Sequence, residues 1–148
     1  MPDSLFNHQF ICKMLNHCAN HAIIEGAENT KEIILYSSDL LRYIFDNRRT
    51  TVTLEDEIDN IETFITIQSL NGVNCIFRRG NIKDSSRCIF LPHLSVLRVF
   101  IEDIQHFYDH NDRNAEIVYE AEYSNDFPSI KRVVNGIENS IFKVPNIL

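Results

Sequence analysis

Glycine and proline are scarce in this sequence, with only four of each among 148 residues. A long flexible linker would need more of both, and the sequence has no low-complexity segment or internal repeat. None of the glycines lies in a glycine-rich loop of the kind that holds phosphate groups at the start of a helix. The chain has 148 residues, of which 44% are hydrophobic. This is enough to bury one hydrophobic core or two small ones.

Clustered positive charge is also missing. The chain has 14 Lys and Arg against 21 Asp and Glu, which gives a formal net charge of -7. Binding to nucleic acid depends on clustered Lys and Arg that neutralise phosphates, so we expect no nucleic-acid partner. The densest basic pairs, Arg48-Arg49 and Arg78-Arg79, are predicted to be solvated turns.

The sequence lacks features of membrane insertion and of a disulfide framework. No apolar run approaches the roughly 20 residues of a membrane-spanning helix, and no signal-peptide pattern precedes Leu5. The four cysteines, which include no CxxC pair, are typical of reduced, half-buried small residues. We therefore expect a cytoplasmic protein with no membrane span in this chain. The cysteines are Cys12, Cys18, Cys75 and Cys88.

Residues 1–48 predict a helical hairpin. From about Ser4 to Ile24 the apolar residues follow a heptad pattern, and Gly26 ends that helix. A second helix is predicted from an N-cap at Thr30 to Phe45. Two helices joined by so short a turn lie antiparallel, and they need a partner to bury both apolar stripes.

We expect that partner to be a second copy, so that two hairpins form a dimeric four-helix bundle. The residues expected to face the partner are Leu5, Cys12, Leu15, Ala19, Leu40, Leu41 and Ile44. Three further apolar residues are expected to widen the buried stripe of the first helix: Phe6, Phe10 and Met14.

Residues 53–148 predict a small α/β sandwich after a linker at Asp46 to Val52. Thr53 followed by acidic residues is typical of a helix start, and Asn71-Gly72 ends that helix. The acids of this helix are predicted to be surface charges. Two short strands are predicted next, at 74–79 and 87–91, around a turn at 81–86. An unusually apolar helix is predicted at 92–108. Further strands are predicted at 115–123, 130–134 and 141–144, with a turn at 127–129. The predicted fold class is α+β.

One ten-residue segment carries the most specific functional signal. Residues 7–16 read Asn-His-Gln-Phe-Ile-Cys-Lys-Met-Leu-Asn. The segment resembles the Asn-Pro-His-Phe-Leu-Phe-Asn-x-Leu-Asn motif of the LytS/YehU-type sensor histidine kinases, in which the histidine accepts phosphate. In this chain Gln9 stands at the position of that histidine, and His8 lies one place earlier.

Five further segments resemble the same family in the same order along the chain. They are Ser38-Asp39-Leu40-Leu41-Arg42-Tyr43, Val52 to Ile58, Phe64 to Gln68, Leu91 to Leu94, and Ile101-Glu102-Asp103. The resemblance implies an internal kinase region followed by the first part of a GHKL-type ATPase domain, and hence a truncated version of that α/β sandwich.

The departures from the family concern its nucleotide site. The resemblance assigns base and Mg²⁺-ligand roles to a Glu-Asn pair, which corresponds here to Glu102 and Asp103. The family's Asp-x-Gly-x-Gly box has no counterpart, because Val134 to Glu138 lacks the Asp and the second Gly. The ATP lid is absent before the chain ends at Leu148. We interpret Glu102 and Asp103 as vestigial cofactor-binding residues and expect no bound cofactor.

The histidines offer no convincing metal site. His17 and His21, and likewise His106 and His110, are spaced i, i+4, but a zinc site needs three or four converging ligands. We expect surface histidines and no metal. A polar stripe of Arg98, Glu102 and His106 is interpreted as the solvated face of its helix.

The sequence favours a non-enzymatic, pseudokinase-like regulatory protein of two-component signalling. It would act by dimerisation, or by binding a sensor kinase or the receiver domain of a response regulator. Two alternatives stay open. The first is a histidine phosphotransferase of a phosphorelay that uses His8 as acceptor, and the second is a fragment of a longer sensor histidine kinase.

Overall fold

The computed structural model describes residues 8–80, 82, 88–110, 116–124 and 127–143. In these residues the chain forms four helices and six strands, which confirms the predicted α+β class. It divides into two compact units, Met1–Arg49 and Thr50–Leu148. No helix of the described ranges is long and apolar enough to cross a bilayer.

The first unit is a pair of helices, α1 (His8–Ile24) and α2 (Glu28–Ile44). Gly26 forms the turn between them with a φ of 72°, a left-handed conformation that glycine adopts without steric cost. The predicted N-cap at Thr30 is wrong, because α2 begins at Glu28. The carbonyl of Ala27 already accepts the first helical bond, from the Lys31 N–H at 3.0 Å.

The second unit contains the remaining two helices and all six strands. In chain order its elements are β1 (Thr51–Thr53), α3 (Leu54–Leu70), β2 (Cys75–Arg78), β3 (Phe90–Pro92), α4 (Ser95–His110), β4 (Ile117–Ser124), β5 (Phe127–Val134) and β6 (Ile137–Lys143).

A four-stranded sheet with the order β2-β4-β5-β6 forms the framework of this unit. Strand β2 pairs with β4 in parallel, and α4 supplies the crossover that a parallel pair requires. Strands β4, β5 and β6 are antiparallel neighbours. A separate two-stranded sheet joins β1 to β3.

Two sequence predictions about the strands are therefore wrong. The strands predicted at 74–79 and 87–91 do not form a hairpin, because β2 pairs with β4 and β3 pairs with β1. The predicted turn at 127–129 lies inside β5, where Ser129 pairs with Glu122 and with Lys143. Most of the turn predicted at 81–86 lies outside the described residues.

The core lies between the four-stranded sheet and the two helices α3 and α4. On β4, Ile117, Tyr119 and Ala121 are fully buried, as the alternation of a one-sided strand requires. Phe100 of α4 is also fully buried, and its ring centroid lies 4.3 Å from that of Tyr119. The helices contribute the other large buried side chains, which include Leu54, Ile58, Ile61 and Leu97.

Helix α3 begins with the N-cap that the sequence predicts. The Thr53 hydroxyl accepts a bond from the Asp56 N–H at 3.1 Å, and the Asp56 carboxylate accepts one from the Thr53 N–H at 3.1 Å. This reciprocal capping box satisfies two backbone donors that a helix start otherwise leaves open.

Glu57 is a buried carboxylate that joins α3 to the start of α4. Its side chain is 0% exposed, although the sequence predicts a surface acid. Its carboxylate accepts bonds from the backbone N–H groups of Leu94 at 3.0 Å, Val96 at 3.0 Å and Leu97 at 2.9 Å. A negative charge at this position also interacts favourably with the helix dipole of α4.

Arg79 joins the end of β2 to the outer side of α3. Its guanidinium donates to carboxylates of Glu62 at 2.7 Å, Asp59 at 2.5 Å and Glu55 at 3.0 Å. The predicted solvated turn is therefore wrong for Arg79, whose side chain is only 24% exposed. The corresponding prediction is confirmed for Arg48, whose side chain is 92% exposed.

Replacing Glu57 by Ala should strongly destabilise the protein. The change leaves three N–H groups without an acceptor, of which those of Val96 and Leu97 are buried and that of Leu94 is part-buried. We therefore expect the free energy of unfolding to fall by about 3 to 5 kcal/mol. The matched control is Glu102→Ala, which removes an exposed carboxylate from α4 and should change stability by about 0.5 kcal/mol or less. Urea denaturation followed by circular dichroism measures both. Equal losses in the two variants would contradict the role given to Glu57.

Candidate functional site

Helix α1 carries two apolar stripes, and only one of them is buried. Cys12, Ala19 and Ala22 are at most 4% exposed. Phe10, Ile11 and Met14 are 46%, 40% and 50% exposed, and Cys18 is exposed beside them. The spacing i, i+1, i+4 and i+8 places these four residues on one side of the helix. We call Phe10, Ile11, Met14 and Cys18 the exposed α1 stripe.

The described residues that are predicted to face a partner have two different environments in the structure. Cys12, Ala19 and Leu40 are already buried within the chain. Leu15, Leu41 and Ile44 are half-buried, and Leu5 lies outside the described residues.

Phe10 and Met14, which are predicted to widen the buried stripe, are about half exposed within the single chain. Only a partner could therefore bury them fully, and their burial in a dimer stays a prediction. Phe6 lies outside the described residues. A heptad pattern identifies which residues are apolar on one helix, but it does not say which of two neighbouring stripes meets the second helix.

Gln9, which stands at the degenerate acceptor position, is exposed near the start of α1. It lines a cavity of about 580 Å³ within the first unit. The other lining residues are Cys12, Arg42, Phe45, Asp46, Asn47 and Arg48. His8 is the first residue of α1, and its side chain lies outside the described part of the chain.

The charged groups around this cavity are partly paired with one another. Asp46 accepts bonds from Arg48 and Arg49, each at 3.1 Å, and the bond from Arg48 lowers the pKa of its carboxyl group. Arg42 donates to Asp39 at 3.2 Å. Arg42 and Arg48 remain largely exposed, so they retain donors that an anionic group entering the cavity could engage.

In the second unit, Glu102 and Asp103 point in two directions. Glu102 is exposed on the outer face of α4, as are Arg98 and His106, which confirms the predicted solvated stripe. The side chain of Asp103 is only 16% exposed. Successive residues of a helix are rotated by about 100°, so the two carboxylates do not converge on one ligand.

Asp103 is engaged in an ion pair inside the second unit. Its carboxylate accepts a bond from the Tyr119 hydroxyl at 2.8 Å and another from the Arg132 guanidinium. The guanidinium of Arg132 also lies 5.2 Å from the centroid of the Phe107 ring. Burial and the charge of Asp103 raise the pKa of Tyr119 well above its usual value, so this hydroxyl stays a donor. The carboxylate that could have held a cation already has a cationic partner.

The segment Val134 to Glu138 forms the connection between β5 and β6. Asn135 and Gly136 have φ values of 51° and 79°, and Val134 pairs directly with Ile137 across the turn. Two successive left-handed residues at an Asn-Gly pair are typical of a two-residue β-hairpin. This segment is therefore a tight hairpin between two strands.

Two residues of this region could not be identified from the sequence. Arg132 is one of several basic residues on a strand, and only the pairing of β4 with β5 brings it to Asp103 on α4. Glu57 lies in an acidic run, and only its place on the buried side of α3 distinguishes it from its neighbours. In the described part of the chain, no group of three or more His, Cys, Asp or Glu is placed to hold a metal ion.

Residues 3–73, which make up just under half of the chain, match the protein-family model described as histidine kinase. The matched range contains both helices of the first unit, together with β1 and α3. It supports a relationship to the histidine kinases, and with it an involvement in histidine-kinase signalling. No curated protein matches the chain.

Replacing Asp103 by Asn should destabilise the protein, although an amide is what the resemblance leads one to expect at this position. The change leaves the charge of Arg132 without its partner, so we expect a loss of about 2 to 3 kcal/mol in the free energy of unfolding. Asp109→Asn, at an exposed position of the same helix, is the control and should be close to neutral. Thermal and urea unfolding of both variants measure the difference. A stabilised Asp103→Asn protein would show that the ion pair does not support the fold.

Proposed function

We propose that this protein is a non-catalytic, histidine-kinase-like regulator of two-component signalling that acts by pairing its helical hairpin with another hairpin. The exposed α1 stripe carries this proposal, because it leaves three large apolar side chains in water within the segment that matches the histidine kinase family. The motif at residues 7–16 supports assignment to the LytS/YehU type.

The first occupant that we propose for the stripe is a second copy of the chain. A four-helix bundle of two hairpins would cover Phe10, Ile11 and Met14 in both copies. Burying the exposed halves of these six side chains would contribute about 5 kcal/mol. The hairpin of a sensor kinase offers the same kind of surface, so a mixed dimer would change signalling by occupying the kinase.

Three observations support the non-catalytic part of the proposal. Gln9 carries a carboxamide, which does not accept phosphate as an imidazole does. Asp103 is bound by Arg132 and Tyr119. The Asn135-Gly136 turn connects two strands directly, where the resemblance would place a glycine box.

Replacing Met14 by Asp should dissociate the homodimer, because it would place an unpaired charge in the apolar interface. Asn20→Asp, at an exposed position of α1 outside the stripe, is the matched control and should leave the dimer intact. Sedimentation velocity over a range of protein concentrations measures the outcome. The assignment fails if wild type is monomeric throughout, or if Met14→Asp remains dimeric.

Cysteine alkylation gives a second readout of the same interface. Cys18 belongs to the stripe, whereas Cys88 is exposed in the second unit and serves as an internal reference. Cys75 is buried, and burial raises its pKa to about 11, so it contributes little thiolate at neutral pH. In the dimer, Cys18 should react more slowly than Cys88, and Met14→Asp should remove that difference.

Phosphotransfer through His8 is the second candidate function. The observation that favours it is the cavity beside Gln9, where Arg42 and Arg48 could bind a phosphoryl group that approaches the start of α1. If this function holds, a phosphorylated receiver domain should label the wild-type protein, and His8→Ala should abolish the label while His17→Ala retains it. A purely regulatory protein should take no label in any of the three forms.

A further inference from the structure

We propose that a cavity beside Arg132, in the second unit, is a binding site for a small carboxylate ligand. The cavity has a volume of about 300 Å³, at the lower end of the range for small-molecule pockets. It is lined by Phe107, Arg132, Val134, Asn135, Ile137 and Asn139. This site goes beyond the proposed regulatory function and does not depend on the hairpin of the first unit.

The hydrogen bonding of Arg132 is the observation that carries the site. Its Nη1 donates to Asp103, whereas its Nε is buried and has no hydrogen-bond partner. A buried donor without an acceptor costs about 1 to 3 kcal/mol. Arg132 lines the cavity, so a ligand oxygen that reached its Nε would recover this energy. Since Asp103 bonds through Nη1, the Nε side of the guanidinium is left for another acceptor.

A carboxylate fits that side of an arginine better than other acceptors do. Its two oxygens can accept two parallel N–H bonds from one guanidinium, and such charge-assisted pairs are stronger than neutral hydrogen bonds. Asp103 already balances much of the charge of Arg132, so we attribute recognition to hydrogen-bond geometry more than to net charge.

The other lining residues define the rest of the ligand. The carboxamides of Asn135 and Asn139 can each donate a further bond to an oxygen, and both residues are exposed at the open side. Val134 and Ile137 offer apolar surface to a short hydrocarbon or aromatic body. The chemical class is therefore a compact organic acid with one apolar part. The Asn135-Gly136 turn fixes the strand ends that carry these residues.

Benzoate is a suitable probe, with benzamide as its uncharged analogue. In ¹H–¹⁵N spectra of the ¹⁵N-labelled full chain that resolve arginine Nε–H signals, benzoate should shift one Nε–H signal strongly and saturably. Sodium chloride at equal ionic strength should not reproduce that shift, and benzamide should bind at least about tenfold more weakly because it lacks the charge-assisted pair.

The Arg132→Lys variant tests whether Arg132 is the residue that binds benzoate. Lysine can still pair with Asp103, but it has no guanidinium Nε–H to donate to a carboxylate. We expect the shifted Nε–H signal to disappear and benzoate binding to weaken at least about tenfold. Arg98→Lys, at an exposed position of α4, is the matched control and should bind benzoate as wild type does.

Unchanged benzoate affinity in a folded Arg132→Lys protein would overturn the proposal, as would equal binding of benzoate and benzamide, or no saturable shift in wild type. None of these results would bear on the dimer, which is measured separately through Met14.

Discussion

The carboxylate of Glu57 is the interaction on which the second unit most depends. The N–H groups of Val96 and Leu97 at the start of helix α4 are buried, and Glu57 accepts from both of them and from the part-buried N–H of Leu94. This contact fixes α4 against α3 and so fixes where Phe100 and Asp103 meet the sheet. Leu94 adopts a φ of 68° at the same place, a conformation that costs a non-glycine residue energy and that the bond from its own N–H to Glu57 helps to hold. One acidic side chain thus helps to position both the core and the ion pair of Asp103.

Charged side chains of this unit are largely used to bind its elements to one another. Arg79 holds three carboxylates of α3, and Lys131 lies within 3.6 Å of carboxylates of Glu120, Glu122 and Glu138 on neighbouring strands. Asp103 pairs with Arg132. In a chain with a net charge of -7, each of these cations offsets local repulsion between acids. Side chains that are paired in this way stabilise the fold, and they are less free to bind a metal–nucleotide complex. This pattern agrees with the non-catalytic function that we propose.

The sequence predicts local features of this chain well and non-local ones poorly. The helix that starts at the Thr53 cap and ends by Asn71 follows from short-range patterns, and the structure confirms it. The pairing of β2 with β4 requires contact between residues about 40 positions apart across a helix, which no local pattern records. The burial of Glu57 and the bond from Arg132 to Asp103 also depend on that packing. In the candidate site, the sequence shows only that Phe10, Ile11 and Met14 are apolar. It does not predict their exposure, because packing against α2 decides which stripe of α1 is covered.

The candidate sites of the two units fit different kinds of partner. In the first unit the unmet requirement is apolar: Phe10, Ile11 and Met14 are exposed to water, and only a large, similarly apolar surface can cover them. In the second unit the candidate site offers a donor, because Nε of Arg132 is one of the buried polar atoms without a hydrogen-bond partner, and a single small acceptor can satisfy it. A macromolecular partner and a small ligand would therefore act on separate parts of the chain.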